Sequence, residues 1–436
     1  MKKSIYIKTF GCQMNSYDSD RLLESVRGTH KQVKSPETAD VIVFNTCHIR
    51  EKAAEKIYSE LGKIKEIKKN NIDTKLIVTG CVAQAEGKAM ISRQPIIDAV
   101  IGPQMYHKFN KIIEEVKNKK VFELDFDSQD KFKSLKKKRL TFSRSAFVTI
   151  QEGCDKFCSF CVVPFTRGAE ASRKSYHIFD EVKHLVENGC KEVVLLGQNV
   201  NAYHGLDKHN NEVNLAKLIT CLEKIKDLKR ISYTTSHPID MHEELIELHG
   251  YSKKLNPYLH LPVQSGSDKI LKLMNRKYTK TKYLKIIDRL RNNCSDIALS
   301  SDFIVGYPGE TRRDFQDTLD LVREVNFAQA YSFKYSSRVG TKSARNNLNN
   351  ISNEEKNDRL LELQELLNSQ QKKFNTNFIS KKVKVLVKGK GKKINQYRGT
   401  TKWMQVVNFE LSEEAKSIED VKIIKASNNS LLGEVL

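Results

Sequence analysis

Three cysteines lie close together in the segment EGCDKFCSFCVVPFTRG at 152–168, namely Cys154, Cys158 and Cys161. We call them the motif trio. A structural zinc site usually has four ligands, and no further Cys or His follows at a usual zinc spacing. Three thiolates suit an iron–sulfur cluster that leaves one iron open to a small molecule. The spacing therefore favours an open iron–sulfur cluster over zinc.

A second set of three cysteines, the amino-terminal trio, is spread along the first part of the chain. Cys12 follows IYIKTFG, Cys47 follows VIVFNT and Cys81 follows LIVTG, so each comes just after a predicted strand. Because the carboxyl ends of parallel strands meet at one edge of a sheet, we expect the three thiols to converge there. A single cysteine is usually a buried packing residue, but three at equivalent strand ends favour a second iron–sulfur site.

The elements that must position the amino-terminal trio lie in residues 1–125. Short runs rich in β-branched residues alternate there with helical stretches such as SDRLLESV. That alternation predicts an α/β domain with a parallel sheet covered by helices. Residues 126–145 are polar and basic, and we interpret them as a linker.

The motif trio lies at the start of a longer βα series at 146–374. Six strand candidates, separated mostly by helical stretches, predict an open, partial (β/α)6 barrel rather than the closed eight-unit form. Residues 375–436 differ, because short segments of alternating apolar and polar residues are separated there by Gly and Asn turns. This last region predicts a small antiparallel β-barrel.

The charge of the chain points to a polyanionic partner. Its 436 residues include 75 Lys and Arg against 53 Asp and Glu, a formal net charge of +22. A general lysine bias is an alternative explanation. It does not account for residues 366–409, which contain eleven Lys and Arg but no Asp or Glu. The distribution therefore favours nucleic acid as the partner.

The sequence also indicates the compartment. No run of about 20 apolar residues is present, so no membrane span is expected. The apolar run near the amino terminus is interrupted by Lys8, which predicts a first strand rather than a signal peptide. We expect a cytoplasmic protein, in which grouped cysteines bind metal more often than they form disulfides.

The residues around the cysteines resemble a known family. CDKFCSFC is similar to the CxxxCxxC signature of radical S-adenosylmethionine (SAM) enzymes, and the amino-terminal trio resembles that of one branch, the methylthiotransferases. The blocks KTFGCQMN, LLGQNVNAY, TTSHP, HLPVQSGSD and SSDFIVGYPGET resemble the members that act on isopentenyladenosine in tRNA. The resemblance covers essentially the whole chain.

The resemblance implies two 4Fe-4S clusters and SAM as cofactors. The motif trio, as the catalytic set, would hold a cluster whose open iron binds the amino and carboxylate groups of SAM. An electron would then cleave SAM into methionine and a 5′-deoxyadenosyl radical, which abstracts hydrogen from carbon 2 of the adenine. The amino-terminal trio would hold the cluster that carries the inserted sulfur, and a second SAM would methylate that sulfur. The implied substrate is N(6)-isopentenyl(dimethylallyl)adenosine at position 37 of tRNA, next to the anticodon.

Two kinds of alternative stay open. The same chemistry could act on threonylcarbamoyladenosine of tRNA or on an aspartate of a ribosomal protein. A protein of a different class, a noncatalytic RNA-binding iron–sulfur protein, would not need the open iron of the motif trio.

Further residues near the motif trio and along the βα series are expected to bind SAM. Phe160 is expected near the SAM adenine, with packing of the loop as the alternative. Arg167 and Arg173 are expected to hold the SAM carboxylate or an RNA phosphate, or to be solvated surface arginines. Polar residues expected to bind SAM, with ordinary polar packing as the alternative, are Gln198, Asn199, Ser236, Gln264 and Asp302.

The carboxyl-terminal module resembles the TRAM domain, an RNA-binding barrel. Its lysines would neutralise phosphates, and Tyr397 and Trp403 could stack on bases or belong to the barrel core. The implied partners are the anticodon stem-loop of tRNA and an electron donor such as a flavodoxin or ferredoxin. We expect a monomer.

Overall fold

The computed structural model describes residues 2–47, 51–116, 118–126, 132, 139–140, 142–345 and 351–436. The predicted linker at 126–145 lies largely outside these residues. The chain forms two compact units. Unit 1 contains 1–141, 151–157 and 161–173, and unit 2 contains 142–150, 158–160 and 174–436.

Unit 1 is built on a six-stranded sheet in the order β2-β1-β3-β4-β5-β6, with every pair parallel. This confirms the predicted parallel-sheet α/β fold. The strands are β1 Lys3–Thr9, β2 His30–Gln32, β3 Val41–Thr46, β4 Lys75–Gly80, β5 Ala99–Ile101 and β6 Val121–Glu123. The helices are α1 Gln13–Val26, α2 Glu51–Asn70, α3 Cys81–Glu86, α4 Lys88–Arg93 and α5 Phe109–Glu115.

Helices cover both faces of this sheet. Successive residues of a strand point to opposite faces, so Ile42 and Phe44 pack in the apolar cluster that includes α2. Val41 and Val43 pack on the other face, in the cluster that includes α1 and α5. Burial on both faces explains why β3 and β4 are almost continuously apolar.

Unit 2 contains the six predicted strands of the βα series, arranged as two parallel three-stranded sheets in the orders β13-β10-β7 and β14-β15-β16. This confirms the predicted six-unit open series. From 145 to 334 the strands are β7 Ser145–Thr149, β8 Gln151–Glu152, β9 Ala171–Ser172, β10 Glu192–Leu196, β11 His204–Leu206, β12 Glu212–Asn214, β13 Arg230–Tyr233, β14 Tyr258–His260, β15 Ala298–Val305 and β16 Gln329–Lys334. Of these, β8 and β9 belong to unit 1.

Helices alternate with these strands and bury their inner face. One apolar cluster combines strand residues such as Val193 and Phe303 with helix residues such as Leu185, Ile219 and Leu319. The helices are α6 Val163–Thr166, α7 Ser175–Glu187, α8 Leu215–Glu223, α9 Glu243–Tyr251, α10 Asp268–Leu273, α11 Lys280–Asn293, α12 Arg312–Val325, α13 Lys342–Arg345 and α14 Asn353–Thr376. Of these, α6 belongs to unit 1.

The carboxyl-terminal strands of unit 2 form a closed barrel in the order β17-β18-β19-β21-β20, as predicted. One detail of the prediction is wrong: β19 and β21 pair in parallel, so the barrel is not wholly antiparallel. A closed ring can alternate strand direction throughout only when its strand number is even, and this ring has five strands. The strands are β17 Lys382–Lys390, β18 Gln396–Thr400, β19 Val406–Glu410, β20 Ile418–Ala426 and β21 Leu431–Val435.

The barrel is fixed to the βα series by buried charged side chains. The two Nη atoms of Arg230 donate to the carbonyls of Lys384 and Thr400, at 2.7 Å each. Lys388 reaches the buried carboxylate of Glu192 at 3.0 Å. These bonds satisfy donors and carbonyls that burial would otherwise leave unpaired.

Trp403 takes part in the same packing. Its ring is half-buried and lies 4.9 Å, centroid to centroid, from that of Phe378. Its Nε1–H donates to the carbonyl of Asp296 at 2.8 Å. Of the two interpretations of Trp403, the structure supports packing rather than a free stacking surface.

A buried histidine makes unit 2 sensitive to acid. The Nε2 atom of His249 lies 2.7 Å from the Tyr233 hydroxyl, and burial lowers the pKa of His249 to about 4 from its ordinary value of 6.5. Between about pH 6.5 and pH 4 the unfolded chain therefore binds a proton that the folded chain does not. At pH 5 this proton binding lowers the free energy of unfolding by about 2 kcal/mol relative to its value at neutral pH. Above pH 6.5 the loss disappears.

We expect His249→Gln, which can keep the hydrogen bond to Tyr233 but cannot titrate, to remove this part of the acid sensitivity. Melting temperatures of the full chain at pH 7 and pH 5 test it. The fall in melting temperature should be smaller in the variant than in the wild type. Equal falls would show that the pKa of His249 does not differ between the folded and the unfolded chain.

Candidate iron–sulfur and SAM site

The amino-terminal trio lies at the carboxyl ends of three neighbouring strands. Cys12 is the N-cap of α1 after β1, Cys47 follows β3, and Cys81 begins α3 after β4. Because β1, β3 and β4 are adjacent and parallel, these three ends meet at one edge of the sheet. The structure therefore brings together the three cysteines that the sequence predicted to converge.

The three thiols differ in their electrostatic surroundings. A hydrogen bond from Cys47 lowers the pKa of Cys12 to about 6 against the opposing effect of burial, with help from the backbone N–H groups of Asn15 and Met14. Burial raises the pKa of Cys81, and a hydrogen bond and positive charge from Arg167 partly offset it. Metal ligation needs deprotonated thiols, so this donor set suits a soft, positively charged iron centre.

Glycines allow the strand ends to approach each other. Gly11 has φ 104°, and a Cβ atom there would lie 2.1 Å from Cβ and 2.7 Å from Sγ of Cys47. Gly80 has φ 95°, and its Cβ would lie 2.2 Å from the carbonyl oxygen of Thr46. Each glycine directly precedes a member of the trio, so larger residues there would separate the thiols.

Arg167 lies against the amino-terminal trio. It is only 2% exposed, and its guanidinium contacts the carboxylates of Asp18 at 2.6 Å and Glu152 at 3.1 Å. Burial works against its charge, but Asp18, Cys81 and Glu152 raise its pKa well above the ordinary value. Burial also raises the pKa of Asp18 to about 7, against the pull of Arg167. The interpretation of Arg167 as a solvated surface arginine is wrong, because these charges hold it inside unit 1.

Arg173 is also buried, at 4% exposure, so its interpretation as a solvated surface residue is wrong too. It lies just after β9, the strand that pairs with β8 beside the cysteine loop.

The motif trio lies in the loop that follows β8 and leads into α6. In unit 1, the N–H of Cys154 donates to the carbonyl of Gly168 at 3.2 Å, and the N–H of Val163 donates to Sγ of Cys161 at 3.5 Å. In unit 2, Nη1 of Arg276 donates to Sγ of Cys158 at 3.4 Å. The sulfurs of Cys158 and Cys161 thus accept hydrogen bonds, a common feature of cluster-ligating cysteines.

Within the described residues, no group of three or more His, Cys, Asp or Glu is arranged to hold a single metal ion. A 4Fe-4S cluster does not need such a group, because each of its thiolates binds a different iron.

Phe160 lies in unit 2 and is half-buried. It packs against the apolar cluster of Ile270, Met274, Tyr307 and Tyr335. This packing holds the ring close to the loop after β15, which begins at Gly306.

The other predicted SAM ligands follow successive strands of the βα series. Gln198 and Asn199 follow β10, and Asn199 donates to Asp240 at 2.8 Å. Ser236 follows β13 and is 5% exposed, and its hydroxyl has no hydrogen-bond partner among the described residues. A buried hydroxyl without a partner is costly, so Ser236 fits a site that a polar ligand completes.

Gln264 and Asp302 occupy the second sheet of unit 2. Gln264 is buried and has φ 75°, and its backbone bridges to β15. Asp302 lies on β15, with one carboxylate oxygen 3.4 Å from Nε2 of His260. Thr235, at the end of β13, also has a positive φ of 65°, which is a strained value for a β-branched residue. Such strain is concentrated at functional sites.

Several residues of the site carried no sequence signal that we recognised. Asp18 and Glu152 hold Arg167, and Arg276 and Tyr278 lie beside Cys158. Each is an ordinary charged or polar residue in sequence, and only the folded chain shows its place beside the cysteines.

Two family models and several solved structures define the class of the protein. Residues 4–102 match the uncharacterized protein family UPF0004, and residues 148–322 match the radical SAM superfamily. The radical SAM methyltransferase TsrM from Kitasatospora setae, solved with cobalamin and a [4Fe-4S] cluster, is similar over 79% of this chain and 74% of its own, with a TM-score of 0.58 at 12% identity. The cobalamin-dependent SAM radical enzyme OxsB covers 84% of this chain and 56% of its own, with a TM-score of 0.51 at 12% identity. The solved structures show the fold alone, and the family model at 148–322 identifies the radical SAM superfamily.

Curated relatives narrow the class to one family. A protein from Jannaschia sp. strain CCS1 is 49% identical over 439 residues, which cover 100% of this chain and 95% of the relative. A protein from Rickettsia conorii is 50% identical over 446 residues, which cover 100% of both chains. Both are named tRNA-2-methylthio-N(6)-dimethylallyladenosine synthase. The chain belongs to this family of tRNA methylthiotransferases.

The geometry at Gly11 predicts a selective loss of metal. In Gly11→Ala, the new Cβ would overlap Cys47, so we expect the amino-terminal trio to lose its iron while the motif trio keeps its own. Iron and sulfide per chain after anaerobic reconstitution should fall by about half if each trio holds one 4Fe-4S cluster.

Gly28→Ala is the matched control, because no atom lies within 4 Å of its Cβ position. It should keep the wild-type iron content. Wild-type iron in Gly11→Ala would contradict the assignment of the amino-terminal trio as a cluster site.

Proposed function

We propose that the chain attaches a methylthio group to carbon 2 of N(6)-isopentenyladenosine at position 37 of tRNA, with SAM as the source of radical and methyl group. This proposal rests mainly on the relatives named tRNA-2-methylthio-N(6)-dimethylallyladenosine synthase. About half of all residues are identical, and the matched region spans this whole chain, including the positions of both cysteine trios. Two alternative substrates, threonylcarbamoyladenosine of tRNA and an aspartate of a ribosomal protein, are not named in these relatives.

The motif trio is proposed to hold a 4Fe-4S cluster, which when bound supplies the electron that cleaves SAM. The protein's part is to keep the ligand sulfurs in place. The N–H of Val163 contributes to this at Cys161, as does the guanidinium of Arg276 at Cys158. Cys154 is held through its own backbone N–H, which bonds to Gly168.

The amino-terminal trio is proposed to hold a second 4Fe-4S cluster, the source of the inserted sulfur. The approach of Cys12 to Cys47 supports the placement, and Arg167 supplies a positive charge next to Cys81. A buried cation favours the thiolate form of the ligands and an anionic sulfur species at the same edge of the sheet.

SAM is proposed to bind at the strand ends of unit 2. The Ser236 hydroxyl would gain a partner there, and Phe160 would offer an apolar face to the adenine. Polar atoms proposed to orient the ribose and the amino acid part of SAM belong to Gln198, Asn199, Gln264 and Asp302. Burial of Asn199, Ser236 and Gln264 would keep water from the reacting atoms.

The carboxyl-terminal barrel is proposed to bind RNA as a TRAM-like domain, residues 375–436. A groove on it is lined by Lys390, Lys393 and Tyr397, which offer phosphate neutralisation and an aromatic face. Tyr397 stacks on Phe409 with an interplanar angle of 17°, which fixes the orientation of its ring. A base of the anticodon loop would have to be turned out of its stack to reach SAM, as other base-modifying enzymes require.

The remaining proposals concern domains and partners. We propose a methylthiotransferase domain at 1–125, a linker at 126–145 and a radical SAM core at 146–374. We also propose a monomer in the cytoplasm that receives electrons from a flavodoxin or ferredoxin. In the described part of the chain, no helix has the length and apolar character to cross a membrane.

Two cysteine variants separate the proposed roles of the trios. Cys158→Ser should abolish SAM cleavage, because the motif trio would no longer complete its cluster. Cys47→Ser should still cleave SAM to 5′-deoxyadenosine but should leave isopentenyladenosine without its methylthio group. The measurements are 5′-deoxyadenosine release under reduction and nucleoside mass spectrometry of the tRNA substrate.

Cys221→Ser, outside both trios, is the control and should behave as the wild type. If the reconstituted wild type cleaved no SAM, the noncatalytic RNA-binding alternative would replace the enzyme. Methylthio product from Cys47→Ser would remove the sulfur-donating role of the amino-terminal trio.

RNA binding by the barrel has its own test. Substituting Lys390, Lys392 and Lys393 together by Gln should reduce the slope of log affinity against log salt by about 2, because each phosphate that is no longer neutralised lowers it by about 0.7. Affinity for an anticodon stem-loop, measured over a range of salt concentrations, reports this slope. The control carries Gln at Lys224, Lys226 and Lys229, lysines beyond the barrel, and should keep the wild-type slope. An unchanged slope in the barrel variant would place the RNA elsewhere.

A further inference from the structure

Arg276 lies in the segment after α10 and reaches a cysteine of the motif trio from within unit 2. It is 7% exposed, and its Nη1 donates to Sγ of Cys158 at 3.4 Å. The two residues are 118 positions apart in sequence, so they meet only in the folded chain.

Three further interactions fix the direction of this guanidinium. Its Nε donates to the Tyr278 hydroxyl at 2.9 Å, and its Nη2 donates to the carbonyl of Pro262 at 2.7 Å. The Tyr278 ring lies 5.1 Å from the guanidinium carbon, and its hydroxyl donates to the carbonyl of Val263 at 2.8 Å. Nε and Nη2 of Arg276 are thus bonded to neutral groups, and Nη1 is the nitrogen that donates to Cys158.

The charge of Arg276 is balanced differently from that of two other buried arginines, Arg167 and Arg359. Arg167 contacts two carboxylates and Arg359 contacts Glu310 at 2.6 Å. Over the described residues, Arg276 forms no ion pair with an Asp or Glu. A buried cation is costly without an anion beside it, and among these residues the thiolate of Cys158 is the group that can supply the negative charge.

We propose that Arg276 is a positioning residue that tunes the cluster on the motif trio: its hydrogen bond to the Cys158 sulfur and its buried positive charge raise the reduction potential of that cluster. The inference rests on the proposed function, in which this cluster takes one electron from a low-potential one-electron donor. Reduction adds one negative charge to the cluster. A fixed positive charge at a ligand sulfur stabilises that added charge, and hydrogen bonds to the sulfurs help to set such potentials.

The test is an anaerobic redox titration of the full-length, reconstituted chain, followed by the electron paramagnetic resonance signal of the reduced cluster. The cysteines of the amino-terminal trio are changed to Ser in every sample, so that one cluster gives the signal. Arg276→Met should lower the equilibrium constant for reduction about tenfold, which is about 59 mV for one electron. An unchanged potential with the cluster fully assembled would overturn the proposal.

Three companion variants separate tuning from a general effect on folding. Arg276→Lys keeps the charge and should give a potential between those of the wild type and Arg276→Met. Tyr278→Phe keeps the ring beside the guanidinium but removes the hydroxyl that accepts from Nε and donates to Val263, and should shift the potential in the same direction by less. Arg230→Met removes an arginine of similar burial, at 6% exposure, that bonds to the barrel, and should leave the potential unchanged. An equal shift in Arg230→Met would overturn the proposal.

Failure of the proposed function gives a different result. If the parent sample with an intact motif trio bound no cluster, the assignment of the motif trio would fail before any variant is compared. If Arg276→Met bound no cluster, Arg276→Lys and Tyr278→Phe would decide the matter, and wild-type potentials in both would overturn the tuning role.

Discussion

Parallel strands that end at one edge of a sheet bring three cysteines of this protein together. In unit 1, β1, β3 and β4 are neighbours, and a cysteine follows each of them. A single cysteine at a strand end would not indicate a metal site, because lone buried thiols are usually ordinary packing residues. Convergence of the three depends on the register of the sheet and on the absence of a side chain at Gly11 and Gly80. Disturbing either the sheet or these glycines would separate thiols that lie more than thirty residues apart in the sequence.

Buried arginines accompany both trios, and the two differ in how their charge is balanced. Arg167 contacts the carboxylates of Asp18 and Glu152, and its positive charge lowers the pKa of Cys81 in the amino-terminal trio against the effect of burial. Arg276 has the Cys158 sulfur as its anionic neighbour. In the function proposed for the motif trio, a cation at a ligand sulfur favours the uptake of an electron. Arg167 contacts two carboxylates and Arg276 contacts a cysteine sulfur, so the charge is balanced differently beside the two trios.

Much of the fold and the cysteine sites could be predicted because they depend on local patterns. Apolar runs followed by Cys12, Cys47 and Cys81 are enough to place three thiols at one sheet edge. The burial of Arg167 could not be predicted, because its partner Asp18 lies 149 positions earlier and shows no periodicity. The parallel pairing of β19 with β21 was also missed, since alternating apolar residues look the same in either strand direction. Long-range polar interactions and strand direction are set by tertiary packing, which short sequence patterns do not contain.

The central claim is that this chain places the methylthio group on isopentenyladenosine of tRNA. Nucleoside mass spectrometry tests it directly, in a host whose own methylthiotransferase for this nucleoside has been deleted and which then expresses this chain. We expect 2-methylthio-N(6)-isopentenyladenosine to return as isopentenyladenosine falls. Isopentenyladenosine that persisted unmodified, while the chain was expressed with both clusters assembled, would show that the chain does not carry out this reaction.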